Sequence, residues 1–257
     1  MKSVLVYTLH KTGSTFINKL CDDLCQFLNI DGYSIYNNDN RNKINDTNWK
    51  EFIIEKGDKA CFYPVRVGRA DPSVPDDLSN YSSIAHVRDP RDILVSHYFS
   101  KTFSHPRQEG RFNPSDEQRD KWKEKGIDQN VLEHCPNLVE RYEYIIKNIL
   151  SHKETKLVKY EEMVTDYSGW LEQFLEAFSH FPIPTQKEKI FFKKTYDWKM
   201  THEKFYNKYK NEFKITKENV SKHKRKITPG DYKEKLQEST INKLNDEFKD
   251  ILKILHY

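Results

Sequence analysis

Between His10 and Phe16 the chain sets one lysine, one glycine and three hydroxyl side chains almost side by side: His10-Lys11-Thr12-Gly13-Ser14-Thr15-Phe16. That mixture suits an oxyanion. Lys11 brings a mobile point charge, Gly13 lets the backbone approach closely, and Thr12, Ser14 and Thr15 each offer a hydroxyl donor. The flanks decide how these groups are presented. Val4 to Leu9 is an apolar run that reads as a short strand, and the residues after Gly13 read as a helix to about Leu28. A strand feeding a tight loop into a helix N-terminus aims backbone N–H groups and the positive end of the helix dipole at a ligand. A phosphate or sulfate ester is the ligand this predicts. Taken alone, the segment also reads as an ordinary capped helix, with Thr12 or Ser14 as the cap and Lys11 as a surface charge.

A second group of residues changes that balance. Ser82 to Val87 reads as another apolar strand, followed by Arg88-Asp89-Pro90-Arg91-Asp92 and then Ile93-Leu94-Val95-Ser96. Asp89 is a natural N-cap and Pro90 a natural first helical residue. Arg88 therefore falls at the carboxyl end of a strand, where open α/β sheets hold their ligands. Ser96 follows eight positions later, about two helical turns on. An arginine fork and a hydroxyl together suit a phosphate dianion. Further along, Lys222-His223-Lys224-Arg225-Lys226-Ile227-Thr228-Pro229-Gly230-Asp231-Tyr232 is a basic run closed by a Pro-Gly turn. Such a run is a solvated face or a flap over a polyanion.

Taken together, these elements resemble the sulfotransferase family that uses 3′-phosphoadenosine 5′-phosphosulfate (PAPS). The family's phosphosulfate loop reads Pro-Lys-Ser-Gly-Thr-Thr-Trp, against His10 to Phe16 here. Its 3′-phosphate element reads Arg-Asn-Pro-x-Asp with a following Ser, matched by Arg88 to Asp92 and Ser96 at the same spacing. Its C-terminal signature, Arg-Lys-Gly-x-x-Gly-Asp-Trp, corresponds to Arg225 through Tyr232, and Leu157 to Met163 looks like its strand ending in Tyr-Glu-Asp/Glu-Met. The resemblance implies PAPS as cofactor and adenosine 3′,5′-bisphosphate (PAP) as product, with no metal required by the motifs. It implies a cofactor site of Lys11, Thr12, Gly13, Ser14, Thr15, Phe16, Arg88, Ser96, Tyr160, Arg225 and Lys226, in which Tyr160 contacts the adenine. His10, Phe16 and Ile227 depart from the pattern. Phe16 can still stack on a base, whereas Ile227 replaces a glycine, and a different course is expected for the flap over 221–233.

Lys11 is the candidate to neutralise charge on the bridging oxygen as the nucleotide departs. Many family members carry a histidine base on the preceding strand, near the position of Arg66, where this chain has none. His10, His97 and Asp71 are the substitutes, and the Lys11 cation favours a neutral, accepting His10. The acceptor would be a hydroxyl or amine of a small molecule. Phe62, Tyr63, Phe99 and Phe103 hint at a partly apolar acceptor pocket or, equally, at core packing. Two alternatives belong to other classes: a P-loop kinase-like phosphoryl transferase, and a non-catalytic protein that binds nucleotide or nucleic acid. The absent second loop glycine and magnesium carboxylate pattern count against the first.

The rest of the chain sets the frame for these residues. Its 257 residues are enough to bury a good core. Alternating strand, loop and helix segments imply a central parallel sheet flanked by helices, so the expectation is α/β, one three-layer domain over 1–257 with a P-loop-like loop. Strands are expected at 60–65 and 82–87 besides 4–9, and helices near 49–56, 137–150, 170–178, 187–195 and 240–255. The charged stretch 99–137, broken by Pro106, Gly110, Pro114 and Gly126, reads as a lid or substrate-side insertion. Net charge is +4, a mild basic excess that suits an anionic cofactor and does not indicate nucleic acid. Mean hydropathy is −0.89 and no stretch approaches the ~18 apolar residues of a membrane span. The immediate entry into an apolar strand leaves no room for a signal peptide, so a cytoplasmic protein without a membrane partner is expected. Cys21, Cys25, Cys61 and Cys135 read as core thiols rather than metal ligands.

Overall fold

The computed structural model describes residues 1–34, 49–67, 75–104, 114–183, 186–187, 193–194, 197–214, 218 and 226–257. By their contacts these form two units: Met1–Val87 with Tyr144–Glu212, and Arg88–Glu143 with Phe213–Tyr257.

The first unit is built on five strands: β1 (Ser3–Thr8), β2 (Asp31–Tyr33), β3 (Ala60–Arg66), β4 (Tyr81–Val87) and β5 (Thr155–Lys159). They lie in the order β2-β3-β1-β4-β5, and every neighbouring pair is parallel. All six residues of β1 are buried. That is the mark of a central strand covered on both faces, and it is why its sequence is a continuous apolar run rather than an alternating one. One side of β1 pairs with β3, Val4 opposite Cys61, and the other with β4, from Ser3 opposite Tyr81 to Thr8 opposite His86. The chain runs from β1 out to β2, returns through β3 and crosses to β4. Strand order thus reverses about β1, and the carboxyl ends of β1 and β4 mark the kind of crevice that open parallel sheets use for ligands.

Helices flank the sheet: α1 (Ser14–Leu28), α2 (Trp49–Lys56), α5 (Tyr160–Thr165), α6 (Tyr167–Glu176) and α7 (Trp198–Tyr209). In α1 the residues Phe16, Ile17, Leu20, Cys21, Leu24, Phe27 and Leu28 are buried, an apolar face at helical spacing. All four cysteines are free and buried, as the sequence pattern suggested. The second unit contains α3 (Pro90–Phe99), a π-helical turn (Ser100–Ser104), the larger part of α4 (Asp116–Asn148), and α8 (Tyr232–Lys235), α9 (Glu238–Glu247) and α10 (Lys249–Leu255).

Several expectations are corrected. The stretch 99–137 is mostly helical: the π turn continues α3, and α4 begins at Asp116 rather than near Asn137. Gly126 kinks α4 into two helical segments, with φ 79° and ψ 168°, and Asn130 bridges the bend by donating its side-chain amide to the carbonyls of Trp122 and Gly126. Residues 105–113 of the expected lid lie outside the described residues. The helix expected over 187–195 is replaced by two short strands, β6 (Gln186–Lys187) and β7 (Lys193–Lys194), paired antiparallel. Residues 188–192, between these strands, lie outside the described residues. The single helix expected over 240–255 is two helices, separated by Phe248 at φ −94° and ψ 8°. Among the described residues no helix is long and apolar enough to cross a membrane.

Candidate active site

The loop after β1 is held in an uncommon backbone. Lys11 has φ 70° and Gly13 φ 85°, two left-handed residues within three positions. For a lysine that region is disfavoured, and such strain concentrates at functional loops. Gly13 is the N-cap of α1, and no side chain caps the helix. Its carbonyl accepts from the amides of Phe16 and Ile17. A side chain at position 13 is excluded twice over, by its φ and by space. An added Cβ would stand 3.0 Å from Met163 Cε and 3.4 Å from Tyr160 Cδ2. Tyr160, at the start of α5 and 8 % exposed, thus packs against the loop.

The other loop residues divide by burial. Ser14 is buried, Thr15 is exposed, and His10 and Lys11 are half-buried. Thr12 is fully buried and its hydroxyl donates to the Leu9 carbonyl at 2.8 Å, so that donor shapes the loop itself. Phe16 is 7 % exposed and packs edge-on against Tyr167 and Tyr209, with ring centroids 6.0 and 5.3 Å away. Its ring belongs to an aromatic cluster, which leaves little of its face for a base.

Below this loop lies a residue that sequence reasoning missed. His86 on β4 is fully buried, pairs in register with Thr8, and lies edge-on to Trp170 with centroids 5.6 Å apart. Among the described residues neither ring nitrogen makes a hydrogen bond of good geometry. Burial pushes its pKa down to about 3, against a weaker opposite pull from the Thr12 backbone. The signal in the sequence is an ionisable side chain inside the apolar run Ile84-Ala85-His86-Val87.

In the second unit, Arg88 directly follows β4 and is 5 % exposed. Asp89 caps α3 by accepting from the Arg91 amide at 2.9 Å, and Pro90 takes the first helical position, as the sequence suggested. The Tyr142 hydroxyl donates to the Arg88 carbonyl. Ser96 is half-buried on α3. His97, one position on and about 100° round the helix, lies instead beside His134, with ring centroids 5.1 Å apart, in a surface cavity shared with Tyr98 and Trp122. Arg225 and Asp71 lie outside the described residues, and Lys226 pairs with Glu234 at 2.6 Å and Asp231 at 3.4 Å. Ile227 keeps an ordinary negative φ, and the positive φ of this turn falls on Gly230 at 80°. The left-handed backbone in this turn is thus met by a glycine at 230 rather than at 227.

Of the aromatic residues considered for an acceptor pocket, Phe62 and Tyr63 are core. Phe62 stacks on Tyr33 at 5.3 Å, and the Tyr63 hydroxyl donates to Asp22 at 2.7 Å. Phe99 and Phe103 form a partly exposed pair, centroids 5.8 Å apart. Among the described residues no group of three or more His, Cys, Asp or Glu is placed to hold a metal ion.

A parallel sheet, a strained lysine- and glycine-bearing loop and an uncapped helix N-terminus define the class of α/β proteins that bind phosphorylated nucleotides or related esters. The family profile of the sulfotransferase domain matches residues 71–255, and the chain belongs to that family. Sulfuryl transfer is the chemistry that membership assigns. Among solved structures, that of mouse sulfotransferase SULT7A1 complexed with PAP aligns at 12 % identity with a TM-score of 0.57, covering 98 % of this chain and 84 % of that one. Retinol dehydratase, in complex with androsterone and inactive cofactor PAP, aligns at 14 % identity with a TM-score of 0.47, covering 98 % of this chain and 80 % of that one. The first likeness establishes the sulfotransferase fold. No curated protein matches the chain in sequence.

Proposed function

We propose that the protein transfers the sulfuryl group of PAPS to a hydroxyl or amine of a small-molecule acceptor and releases PAP. The observation that carries this reading is the loop: left-handed Lys11 and Gly13 ahead of an α1 N-terminus that no side chain caps. Such a cradle fits the 5′ phosphosulfate end of the cofactor. PAPS supplies the sulfuryl group, and everything else falls to the chain's own residues. The loop amides, with Ser14 and Thr15, hold the 5′-phosphate oxygens. Arg88 and Ser96 take the 3′-phosphate, and Lys226 with Arg225 adds charge over the nucleotide. Tyr160, already packed on Gly13, is the candidate to contact the adenine. Lys11 stabilises the charge that develops on the bridging oxygen, which matters most in a loose transition state governed by positioning and electrostatics. His10, next to Lys11, is the better placed proton acceptor by sequence, because His97 adjoins His134 on another face of α3.

The test is transfer of radiolabelled sulfuryl from PAPS into a panel of phenols, alcohols and amines, with PAP release followed in parallel. Label in any acceptor, in step with PAP, supports the reading. Binding of PAP without transfer across the panel favours a non-catalytic nucleotide binder. Magnesium-dependent ATP turnover in place of transfer favours a kinase-like enzyme.

A further inference from the structure

Asp92 joins two segments that are far apart in the chain. It sits in the first turn of α3, and its side chain is fully buried. One carboxylate oxygen accepts from the Gly230 amide at 2.8 Å and the other from the Tyr232 amide at 3.0 Å. The first of these oxygens also lies 3.6 Å from an Arg88 guanidinium nitrogen. A single carboxylate therefore touches Arg88 and spans the turn that ends the basic run.

A second strut runs beside it. Arg91 is clamped by Asp89 at 2.9 and 2.6 Å, donates to the Asn245 side-chain oxygen at 2.7 Å, and stacks over the Tyr232 ring at 4.3 Å. The first turn of α3 thus seats the 230–232 turn from two sides. Burial pushes the Asp92 pKa up, while Arg88 and the two amides pull it down. The geometry needs both carboxylate oxygens as acceptors. An asparagine would keep one and turn an NH2 group against the other amide.

We propose that Asp92 is a positioning residue that holds Arg88 and the Lys226–Tyr232 turn in one arrangement, so that gripping a 3′-phosphate and seating the basic segment are a single event. The inference rests on the reading of Arg88 as the 3′-phosphate ligand. The carboxylate that accepts from both amides is also the one that faces the guanidinium, so the placement of Arg88 and the seating of the turn bear on one side chain. A 3′-phosphate on Arg88 would in turn select the seated form.

The test compares wild type with Asp92→Asn in calorimetry with PAP and with AMP, which lacks the 3′-phosphate. Wild type is expected to prefer PAP by about tenfold or more, the contribution of one charge-assisted contact. Asp92→Asn is expected to lose most of that preference while its AMP affinity changes little. A purely structural loss would weaken both nucleotides alike. A variant that keeps the wild-type preference overturns the proposal. Equal wild-type affinities would instead overturn the 3′-phosphate reading of Arg88, and this inference with it. Hydrogen exchange on the wild-type protein keeps the idea open to refutation if the variant does not fold. Amides in 226–235 should gain protection with saturating PAP and not with AMP. No gain with PAP refutes the coupling.

Discussion

Lys11 is held at φ 70°, in a region that its Cβ disfavours, and the loop keeps it there beside Gly13. A strained lysine at a helix N-terminus fits a role that appears only when charge develops. Lys11→Ala is therefore expected to lower turnover on the order of 10²-fold or more, with a much smaller change in PAP affinity. Single-turnover kinetics alongside calorimetry separates the two, and full activity in the variant would show that the loop is only structural. The proton acceptor is a second question at this scale. His10 adjoins Lys11, whereas His97 shares a cavity with His134. His10→Ala should cost at least about tenfold in turnover with an acceptor of ordinary acidity, and His97→Ala less. Turnover against pH for both variants checks this. If neither falls by that factor, Asp71 or an acceptor that ionises unaided is the better account.

At the scale of elements, β4 carries a liability in His86. Its pKa falls from an ordinary 6.5 to about 3 in the folded chain, because burial disfavours the imidazolium. A depressed pKa contributes stability that is present above the unfolded value of 6.5. That stability is lost as pH falls towards 3, by up to about 1.4 kcal/mol per pH unit. Urea unfolding at pH 7.5, 6, 5 and 4 should show the decline, and His86→Leu should flatten it. An unchanged slope in the variant would assign acid sensitivity to other groups. The bend in α4 depends on a different residue. Asn130 is 4 % exposed and donates to the Trp122 and Gly126 carbonyls at 3.1 and 2.7 Å. Asn130→Ala would leave both acceptors at the bend without that donor, and the expected loss is about 1–3 kcal/mol in thermal or urea unfolding. A loss well under 0.5 kcal/mol would mean that water replaces the amide.

For the whole molecule, the proposed cofactor differs from AMP and ATP in its 3′-phosphate, for which Arg88 and Ser96 are the proposed ligands. PAP is therefore expected to bind at least about tenfold more tightly than AMP or ATP, since only PAP offers the 3′-phosphate. A ligand at 100 times its Kd stabilises the folded chain by about 2.7 kcal/mol. PAP should thus raise the unfolding midpoint well beyond AMP at equal concentration, as a thermal melt would show. Equal shifts would remove the 3′-phosphate from the account.

What the sequence determined by itself is what neighbouring residues settle among themselves. Asp89 and Pro90 specify the start of α3 through a cap and a preset φ, and both act within one turn. The apolar run Val4 to Tyr7 in β1, and the largely apolar end of β4 despite His86, declare buried strands, and with the intervening helices they imply the parallel sheet. Family membership was legible for a similar reason: each motif is a short local pattern, and their order along the chain adds specificity. The three-residue β2 and the β6–β7 pair were not legible, because strands that short carry no period and exist only through their partners. Tertiary structure alone turned Phe16 into an aromatic cluster and placed His86 beneath the loop. It also brought Asp92 to amides 138 and 140 positions away. Burial and long-range pairing decide these features, and neither is encoded in the spacing of residues along the chain.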